Sequence, residues 1–178
     1  GYETEDSNTE LRNESYTISY SNVFKPTSTV QLNIEWFEYQ TRSNWSIWRE
    51  NNLFGYFDKE QISSSLSLDI FRGNNQEFRI KGKIYGIKAK NPRSYRVSSN
   101  GYMNASTDNM EAFQLSETAF QIRYKYEFSP LSNLYVVYTR GGKLSSTFNQ
   151  KDNFSDLYTG AWTNQTLDKF IIKMRLKF

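Results

Sequence analysis

Leu167-Asp168-Lys169-Phe170-Ile171-Ile172-Lys173-Met174-Arg175-Leu176-Lys177-Phe178 is the stretch on which the fold turns. Phe170, Ile172, Met174, Leu176 and Phe178 occupy one face. Lys169, Lys173, Arg175 and Lys177 occupy the other, with Ile171 alone breaking the polarity. Side chains alternate across a strand, so a period of two describes a strand whose two faces meet different solvents.

The same period returns upstream. In 117–129, Phe120, Ile122, Tyr124, Tyr126 and Phe128 oppose Gln121, Arg123, Lys125 and Glu127. In 60–72, Ile62, Leu66, Leu68 and Ile70 oppose Gln61, Ser63, Ser65, Ser67 and Asp69. In 27–42, Val30, Leu32, Ile34 and Trp36 oppose Gln31, Asn33 and Glu35; in 14–24, Tyr16, Ile18 and Tyr20 oppose Ser15, Thr17, Ser19 and Ser21. In 76–90, Phe78, Ile80 and Ile84 oppose Arg79, Lys81 and Lys83, and the phase then slips at Tyr85, which predicts a bulge. The segment 132–141 is apolar on both faces, so its orientation is open. Seven strands are predicted.

Composition narrows the setting. Aromatic residues make up 17% of a chain whose hydrophobic share is 37% and whose mean hydropathy is −0.75, a combination that favours strands over disorder. The longest apolar run, Leu134 to Tyr138, is far too short for a membrane-spanning helix, and no stretch resembles a signal peptide. The chain has no Cys, which excludes disulfides and thiolate metal sites, and no His, the usual general base and a common metal ligand. A net charge of +3, with Lys and Arg interleaved among apolar residues, does not describe a nucleic-acid surface.

Strand length separates two all-β architectures. Soluble sandwich strands are typically about 5–6 residues, whereas a membrane barrel needs about 9–11 tilted residues to span. Most of these segments are longer than that. The expectation is therefore an antiparallel transmembrane β-barrel segment, about seven strands of a larger barrel, in the bacterial outer membrane.

Connections alternate in length. Lys25-Pro26-Thr27, Gly73-Asn74-Asn75 and Ser129-Pro130-Leu131-Ser132 are short and carry turn residues; 43–59, 91–116 and 142–166 are long and polar. Outer-membrane barrels have short periplasmic turns and long extracellular loops. Phe24, Phe71, Phe78, Phe128, Tyr135 and Phe178 lie near the periplasmic ends, as an interfacial girdle would. Phe170, Ile172, Met174, Leu176 and Phe178 resemble the C-terminal assembly signal read by barrel-assembly machinery. Counting back from Phe178 leaves residues 1–13 as an extracellular polar segment. Seven strands cannot close with both ends in the periplasm, so the remaining barrel strands are expected on an upstream fragment or another chain.

Several stretches together resemble a known family. They are Phe54-Gly55-Tyr56-Phe57-Asp58, Gln76-Glu77-Phe78-Arg79-Ile80-Lys81, Ala119 to Glu127, Pro130 to Gly141, and Asp168-Lys169-Phe170-Ile171-Ile172-Lys173. They look like the C-terminal region of an uncharacterised bacterial outer-membrane family, in which a carbohydrate-binding-module-like β-sandwich precedes a large barrel domain of unknown function. The resemblance covers most of 45–178. It implies an outer-membrane location and a glycan-related role, with glycan among the partners, and it supplies no catalytic residues.

The functional candidates are the predicted lumen-facing charges Glu35, Asp69, Arg79, Lys81, Lys83, Arg123, Lys125, Glu127, Lys173, Arg175 and Lys177. Cations outnumber anions, so an open lumen would favour anions, whereas a filled lumen would pair these groups across strands. Carboxylate pairs such as Asp152 with Asp156, or Glu35 with Glu38, are read as a solvated loop and lumen residues rather than acid–base machinery. Trp45, Trp48, Tyr56, Tyr95, Tyr102, Tyr158 and Trp162 serve either as sugar-stacking rings or as an outer girdle. The expectation is no enzyme, no cofactor and no metal. The function expected is solute passage or membrane anchoring of a surface complex, the alternative being a soluble β-rich carbohydrate-binding module.

Overall fold

The structure, a computed structural model, describes residues 2–6, 12–49 and 51–177, with side chains from Glu14 onward. Phe178 lies outside the described residues, so its part in the assembly signal is not placed. The chain is a single antiparallel sheet. Its strands are β1 (Tyr2–Asp6), β2 (Arg12–Thr27), β3 (Val30–Trp48), β4 (Leu53–Arg72), β5 (Gln76–Val97), β6 (Met103–Ser106), β7 (Phe113–Ser129), β8 (Ser132–Thr147) and β9 (Gln165–Arg175). They pair in the order β1-β2-β3-β4-β5-β7-β8-β9, with β6 folded back onto β5. No pairing joins β1 to β9 among the described residues, so the sheet is open.

The predicted strands are all present, and two more join them. β1 lies within the supposed polar segment 1–13 and pairs with β2 from Tyr2↔Tyr16 to Asp6↔Arg12. The long connections are largely strand. β3 and β4 continue through 43–59 as far as Trp48 and from Leu53. β5 and β7 take both ends of 91–116, with β6 between them, and 142–166 holds the end of β8 and a helix, α1 (Phe154–Thr163). Turn residues mark a hairpin tip but not the length of the strands that meet there. Of the short turns, Gly73 (φ 61°) and Leu131 (φ 63°) sit in left-handed conformations, whereas Pro26 stays within β2 and the turn follows at 28–29.

Register gathers the apolar residues into rows that cross the sheet. Paired residues share a face, so Phe24, Leu32, Leu68, Ile80, Ile122, Tyr138 and Phe170 form one continuous row. Val30, Ile70, Phe78, Tyr124, Val136 and Ile172 form the next. The orientation of 132–141 is thereby settled: Leu134, Val136 and Tyr138 join the apolar face. Few apolar side chains are buried. Phe57, Ile87, Ala89, Leu157 and Ala161 are, whereas Leu32, Leu66, Ile70, Phe170, Ile172, Met174 and Leu176 are exposed.

Two corrections concern phase. No bulge occurs at Tyr85: β5 stays in register with β7 from Gln76↔Tyr126 to Ala89↔Phe113. What changes there is the polarity of the faces. Below Tyr85 the apolar residues lie on the Ile80 face. Above it Ile87 and Ala89 lie on the opposite face, beside Phe113 and Phe57, while Lys88 takes the Ile80 face. Among the register shifts of the sheet, one that changes a predicted face lies in β3, between Ile34 and Trp36. It moves Trp36 onto the polar face, opposite Ser65, against the strict alternation read from the sequence.

Two segments account for the inversion. Helix α1 covers the Ile80 face at the upper end of β5, β7 and β8. Phe154, Leu157, Tyr158 and Ala161 follow helical spacing, and Asn153 caps the helix in a box with Asp156. On the other face, 106–110 lies over β4 and β5: Ser94 Oγ donates to the carbonyls of Ser106 (2.8 Å) and Asp108 (2.9 Å). Beneath it Trp45, Phe57 and Phe113 pack ring to ring, with centroids 5.3–6.5 Å apart.

Candidate functional site

The lower polar face is built on residues whose register fixes their neighbours. Asp69, Arg79 and Arg123 stand side by side, as do Ser67, Lys81 and Gln121, and then Ser65, Lys83 and Ala119. Lys125 lies opposite Glu77 and Tyr135, with Lys173 beyond; Glu127 lies opposite Asn133, with Arg175 beyond. Of the sequence candidates, all but Lys177 are thus on one face of one sheet. Lys177 follows the end of β9, and its backbone N–H donates to Ser132 Oγ at 3.1 Å.

Most of these charges are matched. Arg79 Nε donates to Asp69, and Arg123 donates to Glu77, each in a very short contact. Lys81 Nζ lies 2.7 Å from Glu35, whose other oxygen accepts from Ser65 Oγ at 2.9 Å. Lys125 lies 3.7 Å from Glu127, and Lys143 lies 2.9 Å from Glu117. Asp69 also accepts from Asn33 Nδ2, which reaches Ser67 Oγ as well; Asn33, Ser67 and Asp69 are buried beneath their longer neighbours. Burial of a carboxylate is tolerated there because its acceptor sites are filled.

Lys83, Lys169, Lys173 and Arg175 have no carboxylate partner among the described residues. Both features raised from the sequence are therefore present, cross-strand pairing and a surplus of cations, in different places. The pairs occupy β3, β4, β5, β7 and β8. The surplus lies on Lys83 and along β9, whose residues are exposed throughout.

Sequence reasoning placed Lys169 on the charged face without singling it out, and it missed Glu77, Glu117 and Lys143. Glu77 and Glu117 stand at the ends of the predicted segments 76–90 and 117–129, and Lys143 falls in the predicted connection 142–166. The loop candidates have structural employment. Asp156 caps α1, while Asp152 accepts from Gln114 Nε2 (2.6 Å) and Asn149 Nδ2 (2.9 Å). Trp162 packs edge-on against Phe120 at 5.9 Å, with the Arg140 guanidinium 4.6 Å from its ring. Tyr56 and Tyr95 meet edge to face at 5.1 Å. Burial alone pushes the Tyr158 hydroxyl up to about 12, so it remains protonated in any ordinary buffer. Asp108 accepts from Arg96 through both carboxylate oxygens, at 2.6 and 2.9 Å, and from Ser106. Those bonds hold its carboxyl at about 2.

No family model, no curated protein and no solved structure matches this chain.

Proposed function

We propose that this chain forms transmembrane strands of a bacterial outer-membrane β-barrel and that its polar face lines a passage favouring anions. The observation that carries the reading is the uncovered apolar face. Rows of Phe, Leu, Ile, Val and Tyr cross the sheet from β2 to β9, and their members on the outer strands are exposed. Large contiguous apolar surface on a soluble sheet would be covered by a second layer. Among the described residues only α1 lies on that face, above the rows.

Dimensions support the same reading. The apolar band runs along β7 from Phe120 to Phe128, nine residues, within the about 9–11 tilted residues that a bilayer core requires. β5 is 22 residues long, so at about 3.3 Å per residue it extends well past the roughly 30 Å hydrocarbon layer. In this arrangement the inverted upper half stands outside the membrane, with Trp162 and Phe120 at the interface.

The free edge of β9 then needs a strand, since unpaired backbone groups are costly in lipid. Remaining barrel strands on a preceding piece, or another chain, would supply it, with insertion by the barrel-assembly machinery. The resemblance to the uncharacterised outer-membrane family adds a glycan-related role and a surface complex to the proposal, with membrane anchoring as the companion task. The surplus cations Lys83, Lys169, Lys173 and Arg175 give the passage its sign.

The complete barrel, purified with the strands that close the sheet, should conduct in planar bilayers with anion preference, and reconstitution should require detergent. A protein that stays monodisperse without detergent would favour the soluble carbohydrate-binding module and sink the barrel.

A further inference from the structure

The β3 bulge has placed Trp36 at one end of a shallow trough of about 750 Å³ on the polar face. The register row across it reads Trp36, Ser65, Lys83, Ala119, Gly141 and Leu167. Small residues in the middle of this row leave the hollow, and Tyr85 stands one row above. We infer that the trough binds a planar aromatic carboxylate. The inference rests on the barrel reading, in which this face meets water while the opposite face meets lipid.

Three observations select that class. The volume lies within the range of about 300–1,000 Å³ typical of small-molecule sites. The indole of Trp36 stands half-exposed at the end of the trough, its Nε1 donating to Ser63 Oγ at 3.2 Å, and such rings stack on flat apolar ligands. Lys83 is exposed in the floor and lacks a carboxylate partner among the described residues, whereas the nearby Lys143 is matched by Glu117 at 2.9 Å. A ligand carboxylate would complete Lys83 as Glu35 completes Lys81.

A polyhydroxylated ligand is served less well. Ser63 Oγ already accepts from Trp36, and Ser65 Oγ already donates to Glu35. Each of these serines already has one hydrogen-bonding function committed, and the row between them offers ring surface, Ala119, Gly141 and one cation without a carboxylate partner among the described residues. A flat apolar body bearing one negative charge uses both the ring surface and the cation.

The test is calorimetry on the complete barrel, this chain together with its remaining strands, in detergent, with protein-free micelles as the blank. The probes are 6-hydroxy-2-naphthoate, its uncharged hydroxymethyl analogue, and galacturonate. Saturable binding of the naphthoate is expected, on the order of tenfold tighter than the uncharged analogue. Lys83→Gln should erase that difference. Ala119→Leu should fill the floor and abolish binding of both naphthalene probes with strand content by circular dichroism unchanged, and Trp36→Phe should retain part of the affinity.

Galacturonate binding as tightly as the naphthoate, no saturable heat from the folded protein, or an undiminished charge preference in Lys83→Gln would overturn the inference. Detergent dependence and ion preference, measured on the same preparation, report on the barrel reading separately. A conducting protein that ignores the naphthoate would refute the trough alone.

Discussion

At Gly142 the chain has no room for a methyl group, because a Cβ there would lie inside the Ala161 carbonyl of α1. Gly86 is similarly close, with a Cβ meeting Phe154 and Tyr158 at 3.0–3.1 Å. These glycines let a helix approach the sheet, and Ser116 Oγ then donates to the Leu157 carbonyl at 2.7 Å. Gly142→Ala should loosen α1 by about 1–3 kcal/mol, the usual cost of overpacking, without disturbing the β7–β8 ladder. Limited chymotrypsin digestion should cut faster after Phe154 and Tyr158 in the variant. Unchanged cleavage there would mean that close approach does not position the helix. Glu35 shows how much one residue can hide: read by strict alternation it predicts Trp36 on the apolar face, and the bulge reverses that. A bulge depends on hydrogen bonding to a neighbouring strand, which a local pattern does not contain.

At the scale of elements, β5 carries the division between the two halves of the sheet. Its lower part was legible from alternation, and its inversion above Tyr85 was read as a slip because the covering segments lie far off in sequence. Lys88 on the apolar-row face makes sense only once its Nζ reaches the Asp152 carbonyl and the Phe154 ring. The helix had a signature within 142–166, Asn153 and Asp156 bracketing the first turn of an apolar repeat, which polarity of the whole segment obscured. The β5–β6 lobe is tied by Arg96 and Asp108. Because the folded carboxyl is depressed from 3.8 to about 2, its contribution is fully present above pH 3.8 and is lost as pH falls toward 2. The chain has no Cys, so Ser99→Cys provides a unique labelling point. Fluorophore anisotropy there should hold steady at neutral pH and drop between about pH 4 and about 2. Asp108→Asn should remove that step; a step surviving in the variant would assign the transition to another group.

For the whole molecule, the decisive balance is between paired and unmatched charge on the polar face. Lys81, Arg79, Arg123, Lys125 and Lys143 each have a carboxylate, so altering one of them exposes its partner. Lys173 and Arg175 can be reversed without that penalty. Lys173→Glu with Arg175→Glu should shift bilayer ion preference toward cations while thermal unfolding stays nearly unchanged, as expected for exposed groups. An unaltered preference would show that β9 does not border the conducting path.

What the sequence by itself determined was the period, and with it seven of the strands and the existence of one apolar and one charged face. These are local properties: alternation belongs to a single strand, and tight turns to a few residues. The tertiary structure alone decided which charges meet, where Trp36 points, that β1 and β6 join the sheet, and that polarity inverts above Tyr85. Each of those depends on register or on a distant segment folding back, and register is a relation between strands that neither strand encodes alone.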